Sequence, residues 1–153
     1  MKYKSTNALS EFSFQEASIA SMESHLGSFI LDLDNVTILS TNSHNRDIQD
    51  MRANNVTVTF SNATIEQITS EGYKVYDADG NLTENVSDAI ISEADYTEVM
   101  KELEGSFLYS IEESDTHSCQ INIDTEYHTY FIKLKYDTSH VEWDRFLKKE
   151  YTF

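Results

Sequence analysis

Short runs in which apolar and polar residues alternate are the feature that most constrains how this chain can fold. The alternation is found in residues 29–34 and 56–60, and again in 107–111, 119–123 and 130–136. A period of two places successive side chains on opposite faces of a strand, so each run predicts a half-buried β-strand. The later runs follow one another too closely for a parallel crossover, which needs about a dozen residues or more. We therefore expect an antiparallel sheet made of hairpins.

A tight turn is predicted at Asp77–Asn81, between short strands at 75–76 and from Leu82, because its Asp-Gly pair suits positive φ angles. The same five residues resemble the opening of an EF-hand calcium loop, in which alternate oxygens bind the ion. The resemblance ends there, since Leu82 stands in place of that loop's glycine and Asp88 in place of its last glutamate. A plain hairpin turn is the stronger prediction.

Two amphipathic helices are predicted beside the sheet. The first covers about 93–104, with Ser92 as N-cap, an apolar stripe along one face and Gly105 as the left-handed residue after its end. The second covers about 140–150, because residues 139–142 form a capping box ahead of several apolar side chains at helical spacing.

The predicted fold class is α+β, with a mainly antiparallel sheet, arranged as hairpins or a meander and strongly curved, against these two helices. Residues 13–26 stay ambiguous, because they fit a capped helix as well as a strand. The chain has 153 residues, no proline, four glycines, no linker and no repeat, so we expect a single compact domain over 1–153.

Acidic residues far outnumber basic ones, with 27 Asp and Glu against 11 Lys and Arg and a net charge of −16. Phosphate contacts need Lys and Arg, so we expect no direct binding to nucleic acid or to a membrane. No apolar run reaches the roughly 18–20 residues of a membrane span, and no signal peptide is recognised. Together with the single cysteine, this predicts a cytoplasmic protein.

The acidity is concentrated between Asp77 and Asp115, where Lys101 is the one base. Dense carboxylates can occupy a cationic groove that normally holds phosphates, and the opposite fields speed encounter. The leading hypothesis is a small non-catalytic protein that binds and blocks a basic partner, as a toxin-immunity protein or a phage anti-defence inhibitor of a nucleic-acid-binding enzyme. An acidic surface that serves only solubility is the simpler alternative. The predicted contact residues are Asp88, Glu93, Asp95, Glu98, Glu102, Glu104, Glu112 and Glu113.

A secondary candidate site is the polar cluster within residues 42–55. It holds His44, Arg46, Asp47 and Arg52, and His44 with Asp47 suggests a general base and its orienting carboxylate. No nucleophile or oxyanion donor accompanies them, so a polar loop with Arg–Asp pairs is the stronger interpretation. No nucleotide-binding, hydrolase or metalloprotease motif occurs, so we expect no cofactor and rank an enzyme third.

A zinc site is also considered, because His117 and Cys119 alternate on one strand face and His128 follows on the next strand. If residues 125–126 form the turn, His117 faces Leu134, and His128 then lies roughly 13–20 Å from the other two ligands. That separation predicts no metal site and a Cys119 buried in the core.

The second-ranked function is a small-molecule or lipid-binding protein. A curved antiparallel sheet can enclose an apolar ligand when aromatic side chains line its inner face. The aromatic residues expected to line such a cavity are Phe29, Phe60, Tyr109, Tyr130 and Phe131.

Overall fold

The computed structural model describes residues 1–126 and 128–148. All strand pairings among them are antiparallel, as the alternating runs predict. The strands are β1 (Tyr3–Thr6), β2 (Phe12–Ser13), β3 (Ser18–His25), β4 (Ser28–Asp34), β5 (Val36–Ile38), β6 (Met51–Ala53), β7 (Val56–Ser61), β8 (Thr64–Ser70), β9 (Tyr73–Tyr76), β10 (Leu82–Val86), β11 (Ala89–Ile90), β12 (Phe107–Asp115), β13 (Ser118–Asp124), β14 (Thr129–Lys135), β15 (Thr138–Trp143) and β16 (Leu147–Lys148). The helical elements are two 3-10 turns, Leu9–Glu11 and Glu93–Asp95, and the helix α1 (Tyr96–Glu102).

Three sheets are formed by the described strands. Ten strands pair in the order β1-β15-β7-β4-β3-β12-β13-β14-β8-β11, and four pair in the order β16-β6-β5-β2. The third sheet contains β9 and β10 alone. Buried hydrophobic side chains of the ten-stranded and four-stranded sheets belong to one core cluster, so these two sheets share their interior.

The alternating runs form strands because one of their faces is buried. In β4, Phe29 and Leu31 are 0% exposed and Leu33 is 1% exposed, while the residues between them are half-buried. Leu31 lies opposite Val58 of β7, which is also fully buried. β-Branched and aromatic residues suit such a half-buried pleated surface, so pattern and packing agree here.

The ten-stranded sheet narrows where β12 meets β3, because Phe107 and Ser18 are the one pair that joins these strands. Helix α1 packs against β3 beside this point, with Met100 buried from the helix. After the helix, Gly105 adopts φ +88° and donates its N–H to the Ile19 carbonyl at 2.7 Å. The first helix is therefore in its predicted place but is shorter, with a 3-10 first turn.

The second predicted helix, at about 140–150, is wrong. Residues up to Trp143 belong to β15, and the chain then bends into β16; residues 149 and 150 lie outside the described part. Ser139, Val141 and Trp143 are buried in alternation, because β15 pairs with β1 on one side and β7 on the other. Long-range pairing outweighs the local capping pattern, since intrinsic helix propensity is a weak preference.

The predicted fold class is corrected accordingly: the described chain is mainly antiparallel sheet with one short helix instead of two amphipathic ones. The ambiguous segment 13–26 is strand as well, because most of it forms β3, in which Ile19 and Met22 are buried against β4.

Candidate functional site

Five of the eight predicted contact residues lie together on one helical stretch. Glu93 and Asp95 belong to the 3-10 turn, Glu98 and Glu102 to α1, and Glu104 follows the helix; all five are exposed. Within the described ranges no Lys or Arg side chain forms an ion pair with a carboxylate. The five negative charges therefore face solvent.

The other three predicted contact residues are not part of this group. The Asp88 carboxylate accepts the Gly72 backbone N–H at 2.6 Å, so it has a structural role. Glu112 and Glu113 are neighbours on β12 and therefore point to opposite faces of the sheet. Glu113 lies opposite Cys119. Burial, and to a smaller extent the Glu113 charge, raises the pKa of the Cys119 thiol to about 12.

Residues 73–86, which we call the arm, form a hairpin that stands apart from the other two sheets. Within the described chain, β9 and β10 pair with each other and with no further strand. All four residues of β9 and all five of β10 are exposed. Its large apolar side chains are Tyr73 (40% exposed), Val75 (40%), Tyr76 (57%), Leu82 (51%) and Val86 (37%).

Both faces of the arm carry apolar side chains. The register places Tyr73 opposite Val86 and Tyr76 opposite Leu82, and these two pairs lie on opposite faces. The Tyr73 hydroxyl donates to the Glu84 carboxylate at 3.3 Å, and the Glu84 charge raises the pKa of Tyr73. An isolated hairpin of two strands is only marginally stable in water. A contribution to folding therefore does not explain why the arm exposes apolar side chains.

The base of the arm is tightly packed. A Cβ atom on Gly72 would overlap the carbonyl oxygen of Val86, so the chain has no room for a side chain there. The Gly72 N–H is bound by Asp88, and the Glu71 N–H donates to the Thr129 carbonyl of β14 at 2.8 Å. The arm is thus attached firmly at one end.

The tip of the arm confirms the predicted hairpin turn. The Asp77 carboxylate accepts the N–H groups of Asp79 and Asn81, each at 2.9 Å, and Gly80 adopts φ +82°. One oxygen of Asp77 is therefore already used by the backbone. No group of three or more His, Cys, Asp or Glu side chains that could hold a metal ion is found in residues 1–126 and 128–148.

Strands β13 and β14, which carry Cys119 and follow His128, do not pair in the register expected from a two-residue turn at 125–126. Cys119, and not His117, lies opposite Leu134, so a four-residue connection replaces the two-residue turn. The Thr125 hydroxyl oxygen accepts the His128 N–H at 2.9 Å and closes this wider connection. Cys119 is 2% exposed, which confirms it as a core residue, and His117 lies in the turn before β13.

The polar cluster at residues 42–55 consists of a hydrogen-bonded loop, strand β6 and the bend before β7. Asn45 is 7% exposed, and its side-chain N–H groups donate to the carbonyls of Ile38 (3.1 Å), Leu39 (3.2 Å) and Gln49 (3.2 Å). Because a buried amide satisfies three backbone acceptors, the sequence signal of many polar residues here has a structural cause.

Three of the four secondary candidate residues meet at a cleft of about 510 Å³. His44, Arg46 and Asp47 line it together with Tyr3 and Phe146. The His44 ring also packs against Tyr3, with ring centroids 5.7 Å apart. The fourth candidate, Arg52, is in β6 and does not line this cleft, so the structure divides the predicted cluster.

The catalytic pair suggested by the sequence is not assembled at this cleft. The His44 Nε2–H donates to the Lys4 carbonyl at 2.9 Å, while the Asp47 carboxylate accepts the Gln49 N–H at 3.4 Å. The expected Arg–Asp pairs are wrong as well, since neither Arg46 nor Arg52 forms an ion pair among the described residues. The loop is held by hydrogen bonds from the Asn45 side-chain amide to backbone carbonyl groups.

The five aromatic residues considered for an apolar cavity are also separated. Phe29 and Phe60 are fully buried and contact each other, with centroids 6.2 Å apart, so they fill the core. Tyr109 and Phe131 instead line an open groove on the outer face of the sheet, and Tyr130 lies on the opposite face of β14. The inner face of the sheet is therefore packed by aromatic rings at Phe29 and Phe60.

That outer groove is a feature the sequence analysis missed. It has a volume of about 430 Å³, and its lining includes Gln120 and Asn122 from β13. These polar residues alternate with core residues, a pattern normally assigned to a solvent-facing side. What distinguishes this groove is that two aromatic rings from the neighbouring strands lie beside these polar residues, and that arrangement depends on the strand register.

The chain matches no family of known proteins, no curated protein and no solved structure. In the described residues, no helix is long and apolar enough to cross a membrane.

Proposed function

We propose that this chain is a small non-catalytic protein that binds and blocks a basic protein partner, and that the arm and the acidic helical stretch form the contact. One observation carries the proposal. The arm exposes five large apolar side chains, pairs with neither of the other sheets in the described residues, and is nevertheless anchored firmly at its base.

The apolar side chains give this surface its binding energy. Exposed apolar patches rimmed by polar residues are typical of protein interaction sites, and aromatic anchors dominate the energetics of such interfaces. Tyr76 and Leu82 lie opposite each other on one face of the arm and form a compact apolar pair. We assign this pair as the centre of the contact.

Charge determines the kind of partner. Asp77 and Asp79 lie in the turn next to the apolar pair, and Glu84 lies on the opposite face of the arm. The helical stretch adds five exposed carboxylates, none of which forms an ion pair with a Lys or Arg side chain of the described residues. Opposite fields accelerate encounter and exclude acidic partners. The partner is accordingly a basic protein, of the kind whose groove binds phosphates, such as a toxin or a nucleic-acid-binding enzyme. The proposed location is the cytoplasm, where a chain with one free thiol needs no disulfide.

Affinity capture with matched variants tests this proposal. The tagged chain is exposed to nuclease-treated lysate of its source cells, and basic proteins released by salt are identified by mass spectrometry. Each is then purified and titrated against the wild type, against Leu82→Ser in the arm, and against Leu26→Ser, a control at a leucine that is 91% exposed elsewhere. We expect Leu82→Ser to weaken binding at least about tenfold and the control to leave it unchanged.

The activity of the captured protein provides the second measurement. A blocking protein lowers that activity in step with binding, and the inhibition weakens as salt rises. Binding that is equal for Leu82→Ser and Leu26→Ser, or insensitive to salt, would contradict the proposal.

A further inference from the structure

The groove on the outer face of β12–β14 has a neutral floor and a charged rim. Asn122 is 5% exposed and lies deepest, with Gln120, Thr129 and Phe131 half-buried around it. The three carboxylates of the lining, those of Glu71, Glu112 and Asp124, belong to exposed residues at the edge. A ligand in this groove therefore meets amides, a hydroxyl and a ring first, and charge only at its periphery.

The amides of the floor are held in fixed orientations by a chain of hydrogen bonds. Gln120 donates to the Asn122 side-chain oxygen at 2.8 Å, and Asn122 donates to the Ser110 hydroxyl at 2.7 Å. The Ser110 hydroxyl donates in turn to Glu112 at 3.4 Å. Among the described residues, each amide has one N–H and Gln120 its carbonyl oxygen without a hydrogen-bond partner. The floor is thus preorganised to donate and accept hydrogen bonds.

Aromatic rings complete the lining. Tyr109 is 55% exposed and stands on β12, and Phe131 lies on β14 opposite Asn122. The two rings therefore flank the amide row from the strands on either side of β13. Tyr109 is the more exposed of the two, and Phe131 is half-buried.

This combination selects the class of ligand. A preorganised row of neutral donors and acceptors recognises hydroxyl groups, which both donate and accept, and flat rings recognise the apolar C–H face of a sugar. The carboxylates lie at the solvated rim, where their charge is screened, so they contribute less to recognition than the neutral floor. We propose that the groove is a binding site for a neutral carbohydrate.

The size of the groove fits this class. Its volume of about 430 Å³ lies within the usual range of small-molecule sites, roughly 300–1,000 Å³, and accommodates about one or two sugar rings. The proposal goes beyond the protein-binding function and uses a different surface, so either can fail without the other.

Titration with defined probes tests the site. The chain is screened against a broad array of neutral glycans, and cellotetraose, maltotetraose, xylotetraose and chitotetraose are titrated by NMR with spermine and inorganic phosphate as charged comparisons. We expect at least one neutral glycan to shift the side-chain amide signals of Gln120 and Asn122, with a dissociation constant between about 10 µM and 1 mM and little dependence on salt.

Matched tyrosine variants locate the binding. Tyr109→Ala should weaken binding of the glycan at least about tenfold, whereas Tyr109→Phe, which keeps the ring, should retain most of it. The control is Tyr76→Ala in the arm, because Tyr76 is 57% exposed and Tyr109 is 55% exposed. Gln120→Ala gives a second, independent loss. No neutral glycan binding on the array and in the titrations, glycan binding unaffected by Tyr109→Ala, or shifts caused by spermine alone would overturn the proposal.

Discussion

The β3–β4 hairpin and the arm begin from similar local chemistry and end in opposite environments. Each turn contains a glycine at positive φ, Gly27 at +80° and Gly80 at +82°. In β4, however, every second residue is buried, because β3 and β7 flank it and its apolar side chains enter the core. In the arm no strand of the described chain flanks the pair, and all residues of both strands are exposed.

The difference shows what local sequence determines and what it does not. Turn residues are sufficient to direct the chain back on itself in both hairpins. Burial depends on neighbouring strands, and none in the described part of the chain pairs with the arm. Tyr73 packs against His128 at the base, with ring centroids 6.0 Å apart, while Tyr76 and Leu82 stay more than half exposed and contribute little to folding. Apolar residues that do not stabilise the fold, at the edge of a strongly acidic region, are what a binding surface requires.

The largest expected effect comes from a pair of leucine truncations, one in each hairpin. Leu31→Ala should lower the free energy of unfolding by about 2–5 kcal/mol, because it leaves a cavity in the core. Leu82→Ala should lower it by less than about 0.5 kcal/mol, because that side chain is half exposed. Urea unfolding followed by Trp143 fluorescence measures both. Similar losses would mean that the arm packs as part of the fold.

A smaller effect is expected at the base of the arm. Gly72→Ala should destabilise the protein by about 1–3 kcal/mol, because its methyl group overlaps the Val86 carbonyl. Gly27→Ala is the matched control, with open space around it and a conformational cost of about 1 kcal/mol. Amide hydrogen exchange should accelerate in the arm for the first variant and at the β3–β4 turn for the second. Unchanged exchange in the arm of Gly72→Ala would contradict the tight base.

Alkaline pH should destabilise the protein through the buried Cys119 thiol. Between the ordinary thiol pKa of 9.0 and the raised value of about 12, the folded state keeps a Cys119 proton that the unfolded state has lost. Stability is therefore complete below pH 9 and falls above it, by about 1.4 kcal/mol per pH unit from this group. Cys119→Ala should remove that part of the slope, whereas Leu82→Ala in the arm, which removes no titrating group, should not. Equal slopes for the wild type and Cys119→Ala would refute this assignment.

The smallest expected effect concerns the acids of α1. Glu98 and Glu102 repel each other four residues apart, so Glu102→Lys should raise the free energy of unfolding by about 0.3–0.5 kcal/mol. The same variant should weaken binding to the basic partner, while Glu23→Lys on β3 should not. Glu104 is unsuitable for this test, because it accepts the Met22 N–H at 3.4 Å. A variant that is both more stable and fully active in binding would indicate that these acids serve solubility alone.

The fold was predictable where one period dominated a segment. The runs at 29–34 and 56–60 became β4 and β7, and the Asp77–Asn81 turn became the tip of the arm. The helix prediction for residues 139–143 was wrong because their capping residues are compatible with a helix, and only pairing with β1 and β7 makes the segment a strand. Such pairing joins residues far apart in sequence, which a local pattern does not contain.

The candidate surfaces were predictable in composition but not in grouping. The acidic stretch was visible as a count of charges, yet Glu112 and Glu113 point to opposite faces because they are adjacent on a strand. Predicting the outer groove would have required the strand register, because Gln120 and Phe131 share a surface only through the pairing of β13 with β14.

Amide hydrogen exchange of the free chain and of its complex with the captured basic protein tests the central claim most directly. In the free chain, the amides of the arm should exchange far faster than those of β4, because the arm is anchored only at its base. In the complex, protection should appear in the arm and in the helical stretch from Glu93 to Glu104, with β4 unchanged. Arm amides that are as protected as β4 in the free chain, or that stay unprotected in the complex, would contradict the account.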